Sequence, residues 1–134
     1  MKRLVLMVML LCACAAPLAG QTVYNPTTIE FDSPDHATVT AYQVEYWVAG
    51  VDPATGSPVS SGTLPLSAIT STAPTYRALL SAISPILGIP VGQTYVARLR
   101  AVGVTPDLVS ERSPASNPFA SASVPRTPLA VSVK

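Results

Sequence analysis

Thiols are nearly absent from this chain: of its 134 residues only Cys12 and Cys14 are cysteine, and both fall within the first twenty. Beyond residue 20 no disulfide can form, so stability there must come from a buried apolar core, which a chain of this length can supply. Histidine is scarcer still, with His36 alone. Without a second histidine or a thiol near it, the familiar catalytic zinc sets cannot be assembled, and a serine triad has one candidate base. Charge is thin and balanced, eight Lys or Arg against seven Asp or Glu. That leaves no basic stripe for nucleic acid and no polybasic run for anionic lipid. Walker A, dinucleotide and G-x-S-x-G signatures are missing, and no cofactor is expected.

The one long apolar run lies at the start. Lys2 and Arg3 precede the apolar residues 4–11, and small residues Cys12, Ala13, Cys14, Ala15 and Ala16 lead to Pro17. That order is the one a secretory signal follows, and the run is far short of the roughly 20 residues a membrane span requires. Residues 1–20 are therefore expected to direct export, with cleavage after Ala19 or Gly20. The alternative is a bacterial lipobox: Leu11, Cys12, Ala13 and Cys14 resemble one, which would place a lipid on Cys14 and tether the protein to a membrane. Removing 20 residues from 134 leaves 114, one ordinary domain with a tail, in which six basic residues face seven acidic ones.

In that domain fourteen prolines in the whole chain and abundant Ser and Thr punctuate short runs rich in Val, Ile, Tyr and Thr. This is strand-and-turn composition. From Val39 onward Tyr42, Val44, Tyr46 and Val48 alternate with Gln43, Glu45 and Trp47, which sends the first set to a core and the second to the opposite face. The Pro53 and Gly56 of residues 52–56 suit a reversing turn, with a second strand over 59–64. Farther on Tyr95, Ala97, Leu99 and Ala101 alternate with Val96, Arg98, Arg100 and Val102. A further strand is expected at 76–80. Leu79, Leu80, Ile83 and Leu87 have helical spacing, but Pro85 would break the last turn, so 78–87 reads as strand then turn.

The V-T-A-Y-Q-V-E-Y of residues 39–46, taken with the G-Q-T-Y-V-A-R-L-R-A-V of 92–102, resembles the central strand pair of a fibronectin type III domain. The resemblance covers roughly residues 28–124 and implies an all-β fold, an immunoglobulin-like antiparallel β-sandwich. It further implies that Tyr95 makes the corner whose hydroxyl bonds back to the chain, that Phe31 fills the place of the family's Trp on strand B, and that Ser116, Asn117, Pro118 and Phe119, which resemble the family's entry to its last strand, open a strand running to about Val124. Only ten residues separate Gln21 from Phe31. Edge strand A is therefore expected to be short or missing. Residues 125–134 resemble an interdomain linker followed by a further strand A, which sets the organisation as 1–20 signal, 21–124 domain and 125–134 tail.

Strand alternation puts Trp47 and Glu45 on the outer face beside Arg98 and Arg100. Exposed, Trp47 would stack on a sugar or a partner side chain; the plainer reading is an internal one, Trp47 under one arginine and Glu45 paired with the other. The loop 103–112 carries Leu108 and Val109 but no Arg-Gly-Asp. Asp32, Asp35 and His36 lie within five residues, enough for a metal or a poised base, although a solvated turn is the simpler account. No metal site is assigned. Tyr95, Phe31, Tyr42, Val44 and Tyr46 are expected to be structural.

Three functions are compatible with these residues. The first is a non-catalytic, exported binding, adhesion or spacer module of the cell envelope or extracellular space, holding a protein or glycan. The second is self-assembly, in which Leu129, Val131 and Val133 add a strand beside strand B of a neighbouring copy. The remote third is a small hydrolase using Asp35 and His36. No nucleic-acid partner is expected, and a membrane only through Cys14.

Overall fold

The structure, a computed structural model, describes residues 21–105, 107–123, 129–130 and 132–134. The proposed export segment with Cys14, residues 124–128 and Val131 lie outside the described residues. Within them the chain is all-β. The strands are β1 (Val23–Tyr24), β2 (Thr28–Asp32), β3 (Ala41–Val48), β4 (Ser60–Pro65), β5 (Thr75–Leu79), β6 (Thr94–Val102) and β7 (Phe119–Ala120). Five form one sheet in the order β1-β7-β6-β3-β4, and β2 pairs with β5 in a second.

The strongest period-2 pattern builds the centre. β3 and β6 run antiparallel from Ala41 opposite Val102 to Val48 opposite Tyr95, which aligns their inward residues on one face. Tyr42, Val44 and Tyr46 of β3, Leu64 of β4, Tyr95 and Ala97 of β6, Phe119 of β7 and Ala78 of β5 meet there as the core. Val48, also expected to face inward, is only half-buried against it. Aromatic rings interlock edge-on, Tyr46 with Phe119 at 4.9 Å and Phe31 with Tyr42 at 4.7 Å between centroids. Such geometry sets the positive edge of one ring on the negative face of another.

Two expectations change. The sandwich is not wholly antiparallel: β1 pairs in parallel with β7, Val23 opposite Phe119 and Tyr24 opposite Ala120. Its cause is local. Asn25 turns the chain at φ 49°, a left-handed conformation that asparagine tolerates better than most residues, and its side chain clamps the turn to Ala122 through Nδ2 to the carbonyl at 3.2 Å and Oδ1 from the amide at 3.0 Å. Val23 and Tyr24 are thereby committed to the larger sheet and supply no partner for β2. The last strand is also shorter than expected, ending at Ala120 with a single further bridge from Ser121 to Val91.

Two sheet rims are covered in part. Thr63 of β4 exchanges two backbone hydrogen bonds of 2.9 Å with Ser84, an approach so close that a Cβ on Gly62 would lie 2.6 Å from Ile83 Cγ2 and 2.9 Å from the Pro85 carbonyl. On the far side of β5, Thr70 donates to the Arg77 carbonyl at 2.9 Å.

Candidate functional site

The outer face of β3 and β6 is not an open surface. Trp47 is wholly buried and Glu45 is 2 % exposed. The indole Nε1 donates to Glu45 Oε2 at 3.0 Å, and Arg112 Nε donates to the same oxygen at 2.7 Å while its guanidinium lies 5.2 Å from the indole ring. That hydrogen bond holds the Arg112 guanidinium above its ordinary range, against the opposing effect of desolvation. Trp47 is therefore no exposed ligand platform; of its two readings the structure has the internal one, an indole stacked under an arginine. The arginine over it is Arg112, not Arg98 or Arg100.

Arg98 and Arg100 serve the segment that follows the 103–109 loop. There Ser110, Ser113 and Ser116 recur every third residue against every second residue of β6. Each serine amide donates to a β6 carbonyl, those of Ala101, Leu99 and Ala97, at 2.9, 2.8 and 2.9 Å. In return the amides of Ala101, Leu99 and Ala97 donate to the serine Oγ atoms at 2.8, 2.9 and 2.9 Å. An ordinary β partner would accept through its own carbonyl. Here the hydroxyl replaces it, and the freed carbonyls of Ser113 and Ser110 accept instead from Arg98 Nη1 at 3.1 Å and Arg100 Nε at 3.0 Å. Three residues cover a two-residue step of about 6.8 Å, so the segment bows outward between serines and carries Arg112 onto Trp47. Sequence reasoning missed these serines, although their spacing was visible in S-E-R-S-P-A-S.

Opposite this segment the sandwich is open. Leu80 donates to the Thr27 carbonyl at 2.9 Å, which fixes the hydrogen-bonded pairs of the β2–β5 ladder at Ile29 with Ala78 and Phe31 with Tyr76. By the alternation of an antiparallel ladder, Thr28, Glu30 and Asp32 turn their backbone N–H and C=O groups the other way, where no strand lies among the described residues. Two clefts follow that rim end to end. One of about 480 Å³ runs past Thr28, Ile29 and Glu30 with Ser116, Asn117 and Phe119 opposite and Tyr46 and Ala97 as its floor. The other, about 280 Å³, continues past Phe31, Asp32 and Asp35 with Ser110, Glu111 and Ser113 opposite and Tyr42 and Leu99 beneath. Glu30, Asp32, Asp35 and Glu111 line the two clefts, and no Lys or Arg does.

The remaining candidates fall outside this groove or at its end. His36 Nδ1 lies 2.7 Å from the Tyr42 hydroxyl and its ring stacks on Tyr76 at 4.0 Å, so it is held as a packing residue. Among the described residues no three His, Cys, Asp or Glu gather as metal ligands. Tyr95 donates to the Gln93 side-chain oxygen at 3.2 Å, a shorter reach than the backbone bond expected of it. Leu108 is exposed at the loop tip, whereas Val109 is half-buried and bridges to Val102. Leu129 and Val133 are 90 % and 96 % exposed. Among the described residues no helix is long and apolar enough to cross a membrane.

Among the described residues the geometry is all-β, with the outer rim of β2 left without a partner strand. Comparison with protein-family models, curated proteins and solved structures finds no match to this chain.

Proposed function

We propose that this chain is a non-catalytic, exported module of fibronectin type III type that binds by accepting an extended segment of another polypeptide along β2. The observation that carries this reading is the rim itself: outward backbone donors and acceptors at Thr28, Glu30 and Asp32 beside clefts floored by aromatic and aliphatic side chains. Strand addition uses those two elements, main-chain hydrogen bonds for affinity and side-chain pockets for selection. Export is supported by the order of charge, apolar run and small residues over 1–20. The fibronectin type III type is supported by the paired motifs at 39–46 and 92–102 and by β2 and β5 facing the larger sheet. The location is the cell envelope or extracellular space.

The test is an array of random seven-residue peptides probed with the full chain, with Glu30→Pro and with Glu30→Ala. Proline removes the outward N–H without touching a β2–β5 hydrogen bond, whereas alanine removes only the side chain. Peptides held by the wild type and by Glu30→Ala should be lost by Glu30→Pro. Equal retention by all three, or no retained peptide at all, would reject strand acceptance.

A further inference from the structure

We infer that the segment accepted along β2 is residues 129–133 of a second copy of this chain, which joins copies head to tail; this rests on the strand-acceptance reading above. Three observations select that occupant. Leu129, Val131 and Val133 alternate with Ala130 and Ser132, so in an extended conformation the three large apolar residues share one face. Five residues match the five of β2. Leu129 and Val133 meanwhile stand almost fully in water, so their own domain leaves these two side chains uncovered.

Charge points the same way. Asp32, Asp35 and Glu111 line the groove with no basic residue among the lining, while Glu30 there is already paired with Arg77 of β5. Residues 125–134 carry Arg126 and Lys134 and no acidic residue. The two surfaces attract, and the attraction weakens as salt is added.

Direction decides between the chain's own tail and a neighbour's. Asn25 holds Ala122 beside the pole where β2 begins, so the chain has reached that pole by Ala122. A strand antiparallel to β2 must enter from the other pole, near Asp32. A neighbour's tail can do so when the starting pole of one copy abuts the Asp32 pole of the next. The donor patch and the acceptor patch then differ, the contact is heterologous, and repetition without closure gives an open chain of copies.

Light scattering of the full chain over a concentration series tests this, read beside three variants. The wild type should gain mass steadily with concentration. Leu129→Asp with Val133→Asp leaves the groove intact and should weaken association at least a hundredfold; Glu30→Pro leaves the tail intact and should do the same, while Glu30→Ala should not. Mixing the two defective variants is the sharpest arm. One supplies only a groove and the other only a tail, so they should form a pair that does not grow. Intact intrinsic fluorescence of Trp47 checks that each variant is folded.

A synthetic peptide of residues 127–134 should bind the groove and cap growth. A wild type that stays monomeric, together with a peptide that fails to bind, would overturn the inference; if random peptides still bind in a Glu30→Pro-sensitive way, strand acceptance stands and only self-assembly falls. Neither kind of peptide binding removes both. A monomer destabilised by the tail substitutions would place the segment in its own groove and likewise overturn assembly between copies.

Discussion

Substituting Ser113 tests whether hydroxyls really replace carbonyls along β6. Ser113 Oγ accepts from the Leu99 amide at 2.9 Å and donates to the Pro114 carbonyl at 3.0 Å. Ser113→Ala deletes the acceptor yet leaves the serine's own amide and carbonyl in place, so one half-buried N–H loses its partner. Such a group costs about 1–2 kcal/mol. Against a total stability of roughly 5–15 kcal/mol for a domain of this size that is measurable without unfolding the protein. Hydrogen exchange adds residue resolution. If Leu99 exchanges by local opening, its amide should exchange about five- to thirtyfold faster in Ser113→Ala, since about 1.4 kcal/mol is a factor of ten, with smaller changes at Ala97 and Ala101, whose acceptors are Ser116 and Ser110. Ser113→Thr retains a hydroxyl and should restore protection. Unchanged exchange at Leu99, or equal acceleration at all three amides, would refute the role of the hydroxyl.

Three further outcomes follow from other parts of the fold. Arg112→Ala strands the buried Glu45 carboxylate, so its urea midpoint, read by Trp47 fluorescence, should fall below wild type, and adding Glu45→Gln should raise it again; a double variant less stable than the single would contradict the buried-charge argument. Burial pushes the Tyr46 hydroxyl up to about 12. Because the folded-state value is raised above 10, that contribution is complete below pH 10 and declines as pH rises toward 12, on the order of 2 kcal/mol in all; Tyr46→Phe should lose correspondingly less stability over that interval in alkaline denaturation. Gly62→Ala should cost about 1–3 kcal/mol by thermal melt, since its Cβ meets Ile83 and the Pro85 carbonyl, and a neutral result would mean the 83–85 segment yields.

The central strands were legible because burial on a sheet face writes itself at period two: Tyr42, Val44 and Tyr46 were placed in the core from alternation alone, and they are there. Trp47 shows the limit of that reasoning. Alternation assigned it correctly to the other face, but whether a face is wet depends on what folds over it, and the cover is Arg112, distant in sequence and carried in by the serine segment. The same cause hid the roles of Arg98 and Arg100, whose partners are carbonyls and so leave no mark on side-chain pattern. Serine at every third position is a period belonging to neither helix nor strand, and a search tuned to those two passes over it. The open rim of β2 was foreshadowed by the ten residues before Phe31, too few for another strand. That those residues would join β7 in parallel depended on the backbone of Asn25, one residue whose conformation composition does not disclose.

The serine segment, Ser84 and Thr70 also bear on what happens when the protein is crowded. They occupy backbone groups of β6, of β4 at Thr63 and of β5 at Arg77 that would otherwise template stacking of sheets, so among the described residues β2, with five, is the longest strand whose outer rim has no such cover. Concentrating the protein should therefore give ordered, one-dimensional growth or none, and amorphous precipitate would have to begin with unfolding.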